Sequence, residues 1–184
     1  MNERIPLRPD LRFWLFAPLV GGVTWAVHEF AHYAAGRALG YSMWMSMNQA
    51  GLAEGAYEST AHNVIVTMAG PLVTYVQAGV AFFLARSRRL AGAYLFLFFA
   101  VYMRFVAFGV SFMNPNDEAR TSLDLGMPMW LLPSVLVVVL FVLLARAHRQ
   151  LGVTWKVNLG IWGIASAVTA AIVMGDPVVG RILG

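Results

Sequence analysis

The chain has 184 residues, 59% of them apolar and only 12% charged, about half the charged share of a soluble domain. A single soluble core of this size cannot enclose that much apolar surface, so a soluble globular domain is excluded and a membrane protein is indicated. The lack of Cys excludes disulfides, thiolate metal sites and cysteine nucleophiles. The formal charge of +4, from 13 basic and 9 acidic residues, is spread along the chain; a nucleic-acid surface would gather it on one face.

Met1–Arg12 reads as a short polar lead in which Pro6 and Pro9 discourage helix. Crossing the hydrocarbon takes about 20 mostly apolar helical residues. Phe13–Leu39 qualifies except for a cluster at His28, Glu29, His32 and Arg37. It is too long, and too polar at that cluster, for a secretory signal. In the 40–60 connection, the alternation of small polar and large apolar residues from Tyr41 to Met47 predicts a strand. Gly51 and Gly55 bracket a turn, and Ala56–Thr60 is expected to return as the second strand of a hairpin at the membrane surface. Val64–Ala85 carries no charge, Ala91–Phe112 carries only Arg104, and Met127–Ala145 and Val157–Gly175 carry none. Between the third and fourth spans, Asn114-Pro115-Asn116-Asp117 reads as a turn into a helix with Asn116 or Asp117 as N-cap. The expected fold is an all-α polytopic membrane protein, about five transmembrane helices with a small β-hairpin after the first, residues 1–184 forming a single transmembrane domain.

The connections and tails carry three, one, three, one, three and one basic residues in turn, with Arg104 left inside a span. By the positive-inside rule this places the N-terminus in the cytoplasm and the C-terminus outside. The freedom from Cys and from a targeting peptide fits an integral protein of a bacterial plasma membrane.

His28-Glu29-Phe30-Ala31-His32 is an HExxH motif. On a helix, positions i and i+4 share a face, so both imidazoles reach one metal ion and the intervening Glu reaches a water beside it. Three ionisable residues within five positions of an apolar span are costly unless paired or hydrated, which favours a metal site over a structural polar patch. A hydrolytic zinc site takes a third protein ligand. Asp117, Glu118, Asp124 and His62 all lie on the same side as the motif; Asp117 is favoured, with Asp124 as the alternative. His148 falls among basic residues at the opposite side and is expected to be solvated or to contact headgroups.

These residues resemble the site-2 protease family of intramembrane zinc metalloproteases. The resemblance rests on His28–His32 within a membrane helix, on Met68-Ala69-Gly70-Pro71-Leu72 inside the next span, and on Asn114-Pro115-Asn116-Asp117 after a further one. It covers residues 13–130 as a metalloprotease-like core, with 131–184 as accessory spans and no PDZ or CBS domain. Thr74 stands where the family often has Asn, and Asn116-Asp117-Glu118 where it usually has Leu-Asp-Gly. The resemblance implies that His28, His32 and Asp117 bind Zn2+ and that Glu29 is the catalytic base. It further implies that Gly70, Pro71 and Asn114 adjoin the substrate, a transmembrane protein cleaved within the bilayer. Gly70-Pro71 is expected to break the second span. Asn63, Asn114 and Asn116 are possible donors to the substrate backbone, or else helix caps. Arg104 is expected to pair with an acidic residue near the site or to snorkel, and is assigned no catalytic role. The strand edge suits an extended substrate segment added by β-pairing. The competing reading is a non-proteolytic relative of the same fold that binds a membrane partner.

Overall fold

The computed structural model describes residues 9–184; of the polar lead read at Met1–Arg12, residues 1–8 lie outside the described residues, and Leu11 and Arg12 already belong to the first helix. The elements in chain order are α1 (Leu11–Ala38), β1 (Met43–Met45), β2 (Ala50–Leu52), α2 (Thr60–Arg88), α3 (Ala91–Val110), α4 (Asp117–Asp124), α5 (Leu131–Leu151) and α6 (Trp155–Val179). The result is a helical bundle with a two-strand antiparallel hairpin after the first helix, as expected. Helices α2, α3, α5 and α6 are long and apolar enough to cross a membrane, so this is a membrane protein. The fifth long helix, α1, has 28 residues; Arg12 and the His28–His32 cluster dilute its apolarity.

Local signals explain the boundaries. Asp10 caps α1 by accepting from the Phe13 amide at 2.8 Å, and Ser59 and Thr154 cap α2 and α6 in the same way. Ser59 thereby draws Thr60 into a helix. The return strand predicted at Ala56–Thr60 is instead Ala50–Leu52, with Met43 opposite Leu52 and Met45 opposite Ala50. The turn closes earlier because Ser46 donates its amide to the Gln49 carbonyl and its hydroxyl accepts from the Gln49 amide. Gly51 lies inside β2 beneath the Trp44 ring, and Gly55, at φ +74°, turns the chain afterwards. The fourth span starts at Leu131 rather than Met127, since Gly126 (φ +68°) and Pro128 hold a turn there.

The core sits around α3. It is apolar on every side, as a central helix must be, and it packs against α1, α2, α5 and α6. Tyr94, Leu95, Leu97 and Ala100 are fully buried. The outer faces of α5 and α6 expose Val138, Val139, Val142 and Leu159, the surface expected to meet lipid tails. Helices approach closely where Gly removes a side chain: a Cβ at Gly21 in α1 would fall on the Phe99 ring of α3, and one at Gly160 in α6 would meet Trp14 at 2.7 Å.

The end of the chain joins the hairpin. Ile182 donates its amide to the Met45 carbonyl at 2.7 Å and Leu183 accepts from the Met45 amide at 2.8 Å. Arg181 stacks over Trp44 at 4.9 Å, and Asp176 at the end of α6 accepts from the Asn48 amide at 3.0 Å. This segment covers the outer edge of β1, while the residues of β2 line an internal cavity.

Gly21→Leu is expected to overpack the α1–α3 contact at about 1–3 kcal/mol, lowering the thermal unfolding midpoint in detergent by roughly 3–10 °C. Gly22→Leu, whose Cβ meets nothing within 4 Å, should stay near wild type when followed by circular dichroism.

Candidate metal centre

Three buried side chains from two distant parts of the chain converge: His28 and His32 from α1 and Asp117 from α4. One turn of helix separates the two imidazoles, whose Nε2 atoms are 3.2 Å apart. Asp117 Oδ2 lies 3.3 Å from His28 Nε2 and 3.6 Å from His32 Nε2.

Helix α2 sets the state of both rings. His32 Nδ1 is 2.7 Å from the Val66 carbonyl, which only accepts, so Nδ1 carries the proton. His28 Nδ1 is 3.0 Å from Thr74 Oγ1. That hydroxyl gives its own proton to the Gly70 carbonyl, so it accepts from His28. In their neutral form both imidazoles therefore present an Nε2 lone pair to Asp117 Oδ2. Partners on the far nitrogen that fix the tautomer in this way are the usual companions of metal-binding histidines.

Three acceptors facing one another need a cation between them. Four ligands at about 2.0–2.2 Å in a tetrahedron have edges of about 3.3–3.6 Å; two of the three observed separations fall in that span and the third, 3.2 Å, lies just below it. The residues present thus fit a divalent metal ion held by two nitrogens and one oxygen.

Asp117 is aimed from two sides. Asn116 caps α4, its side chain accepting from the Asp117 amide at 2.7 Å, so the sequence-level choice between caps falls to Asn116. Arg120 Nη2 then holds Asp117 Oδ1 at 2.8 Å, leaving Oδ2 for the histidines. The alternative ligands lie elsewhere. Asp124 accepts from Asn63 at 2.8 Å, tying α4 to α2, and His62 Nδ1 pairs with the Tyr41 hydroxyl at 2.7 Å. His148 is half-buried against Asn158, which also accepts from Tyr94, and so is not freely solvated.

The expected break at Gly70-Pro71 is absent. Helix α2 runs unbroken from Thr60 to Arg88; Pro71 removes only the amide that would have bonded to the Thr67 carbonyl. Gly70 has a different role. A Cβ there would fall on His32 Nε2 and come within 2.7 Å of His28 Cε1, so only glycine lets α2 lie flat against both imidazoles.

A cavity of about 630 Å³ opens onto this cluster and is lined by Glu29, Thr67, Arg104 and Asn114 together with β2. Glu29 is buried beside the histidines, and Asn114 is exposed at the margin. Arg104 is buried and pairs with Glu118, Nη1 to Oε1 at 3.1 Å, and with Asp117 Oδ2 at 3.4 Å. Tyr75 donates to Glu118 from the other side. Sequence reasoning did not assign Val66 or Tyr75 to the site, and it considered Glu118 only as a possible ligand and Thr74 only as a departure from the family pattern. Thr74 lies one turn beyond Gly70 on α2, a spacing that puts it on the face turned to the histidines.

Gly70→Ala is expected to displace both imidazoles and remove bound metal from a protein that still folds, read as metal per chain by mass spectrometry. In the same measurement, Asp117→Asn should lower metal content sharply and Asp124→Asn should leave it near wild type. No protein-family model, curated protein or solved structure matches the chain, so the chemistry of these side chains carries the functional reading.

Proposed function

We propose that the protein is a membrane-embedded zinc endopeptidase that cleaves transmembrane protein substrates. The observation that carries this reading is the convergence of three candidate ligand atoms at near-tetrahedral spacing beside the buried carboxyl of Glu29, all opening on one cavity. The arrangement agrees with the resemblance to site-2 proteases.

His28, His32 and Asp117 would hold the ion. Two imidazoles and one carboxylate suit Zn2+, which in such sites keeps a fourth position open. When bound, it supplies Lewis acidity that polarises a carbonyl and lowers the pKa of water from about 15.7 to near 7. Glu29 takes a proton from the attacking water as the water oxygen bonds to the carbonyl carbon. It then delivers that proton to the amide nitrogen as the C–N bond breaks, leaving a carboxylate and an amine. The low-dielectric wall strengthens every charge interaction in the cavity.

The substrate must be extended where it is cut. The sheet ends at β2, on the cavity side, because the segment from Arg181 to Leu183 lies along β1. An extended segment added to β2 would pass the metal ligands with its backbone held by main-chain hydrogen bonds. The bundle's two ends also differ in charge. Arg86, Arg88, Arg146, Arg149 and Lys156 gather at the end opposite the metal ligands. The positive-inside rule supports reading that end, with the N-terminus, as the cytoplasmic one, in a plasma membrane.

Glu29→Gln is expected to abolish cleavage of a co-expressed single-span substrate while the protein accumulates and keeps its metal. Unchanged cleavage would sink the mechanism. Wild-type protein with full metal but no cleavage of any single-span substrate would favour the non-proteolytic, partner-binding reading.

A further inference from the structure

A peptidase needs a donor for the oxygen that becomes negative as water adds to the carbonyl carbon. The Asn residues nearest the metal ligands are poorly available for this. Asn116 caps α4, Asn63 is bonded to Asp124 and Thr67, and Asn114 stands exposed at the cavity margin rather than beside the metal ligands. Arg120 holds Asp117 Oδ1.

Arg104 is different. It is the single charge in α3, 3% exposed, and it lines the same cavity as Glu29. Its pairing is one-sided. Nη1 makes every contact with carboxylates, to both oxygens of Glu118 and to Asp117 Oδ2. Nη2 reaches only His28 Nε2, at 3.4 Å, and Nε, although buried, has no partner among the described residues. An unpartnered buried donor is uncommon in a folded protein. One nitrogen thus anchors the guanidinium and two are left over. The single acceptor that Nη2 has is the lone pair that His28 offers to a metal. Once His28 Nε2 is committed to that bond, Nη2 becomes a charged donor without an acceptor, within 3.4 Å of a ligand atom.

We infer that Arg104 is a catalytic residue, donating from Nη2 to the substrate carbonyl oxygen and stabilising the negative charge it acquires in the tetrahedral intermediate. This rests on the peptidase reading above. Glu118, fixed by Tyr75, is the positioning residue that keeps the guanidinium in place. No bond to Arg104 forms or breaks; the electrons of the carbonyl π bond move onto oxygen and return when the amine leaves.

The test uses the full chain in detergent. Arg104→Lys, Arg104→Gln and the paired Arg104→Met/Glu118→Met variant are compared with wild type. The paired variant removes both buried charges together, so it stands in if a single variant leaves Glu118 uncompensated and misfolds. Four quantities are read: zinc per chain, affinity for a peptide hydroxamate, affinity for a peptide phosphinate, and kcat against KM. The hydroxamate binds through the metal, whereas the phosphinate mimics the tetrahedral oxygens. Zinc content and hydroxamate affinity are expected to hold within about threefold. The phosphinate should weaken by roughly 100-fold, and kcat should fall by about 10²–10³-fold with KM little changed, the scale for losing one such donor. Lys should recover part of the loss and the paired variant none. Parallel loss of zinc and both inhibitors in every variant, or phosphinate affinity and kcat at wild-type levels, overturns the role of Arg104. Wild-type protein that binds no zinc overturns the peptidase reading itself, and the inference with it.

Discussion

Charged groups inside an apolar bundle persist only in contact with their opposites, and that constraint organises this molecule. Glu29, Asp117, Glu118 and Arg104 are all at most 7% exposed. With every one ionised they leave two negative charges, the charge a divalent cation cancels; Arg120, more than half exposed, lies outside this buried set. The pairing also dictates the packing. Arg104 comes from the central helix α3, its carboxylates from the short helix α4, and the histidines from α1, so the charge balance joins three elements at one point. Separating any of them would strand a charge in a low-dielectric interior.

Helix α2 serves this centre without contributing a metal ligand. Two turns of it supply the Val66 carbonyl, the Gly70 carbonyl relayed through Thr74, and the bare backbone at Gly70 against which both rings rest. Each acts on a different property of the histidines: proton position, ring orientation and clearance.

The long helices were legible because hydropathy over some twenty residues reports one physical fact, transfer into hydrocarbon. The His28–His32 pair was legible because the ligand geometry is local to one helical turn. Asp117 and Asp124 were harder to separate, since seven residues put both on one side of a helix. The difference comes from Asn63 and Arg120, which engage them from other turns and elements. The return strand was misplaced because the Ser46–Gln49 turn closes the hairpin before Ala50, while Ser59 draws Thr60 into α2. At Gly70-Pro71 the lost amide bond suggested a break, but packing against α1 keeps α2 continuous. Arg104 could be flagged as a lone charge; its one-sided use of donors depends on contacts more than ten residues away in sequence and has no local signature.

The join between the hairpin and the last helix sets an order on assembly. Thr169 and Val173 of α6 line the cavity, Asp176 holds Asn48, and Ile182 and Leu183 complete the sheet. All are synthesised after His28, His32 and Asp117. A nascent chain that has reached the end of α5 already contains all three candidate metal ligands, yet lacks the part of the cavity lining that α6 supplies. Chains are made from the N-terminus, so the three candidate ligands are all in place along the chain before the α6 residues that line the cavity beside them.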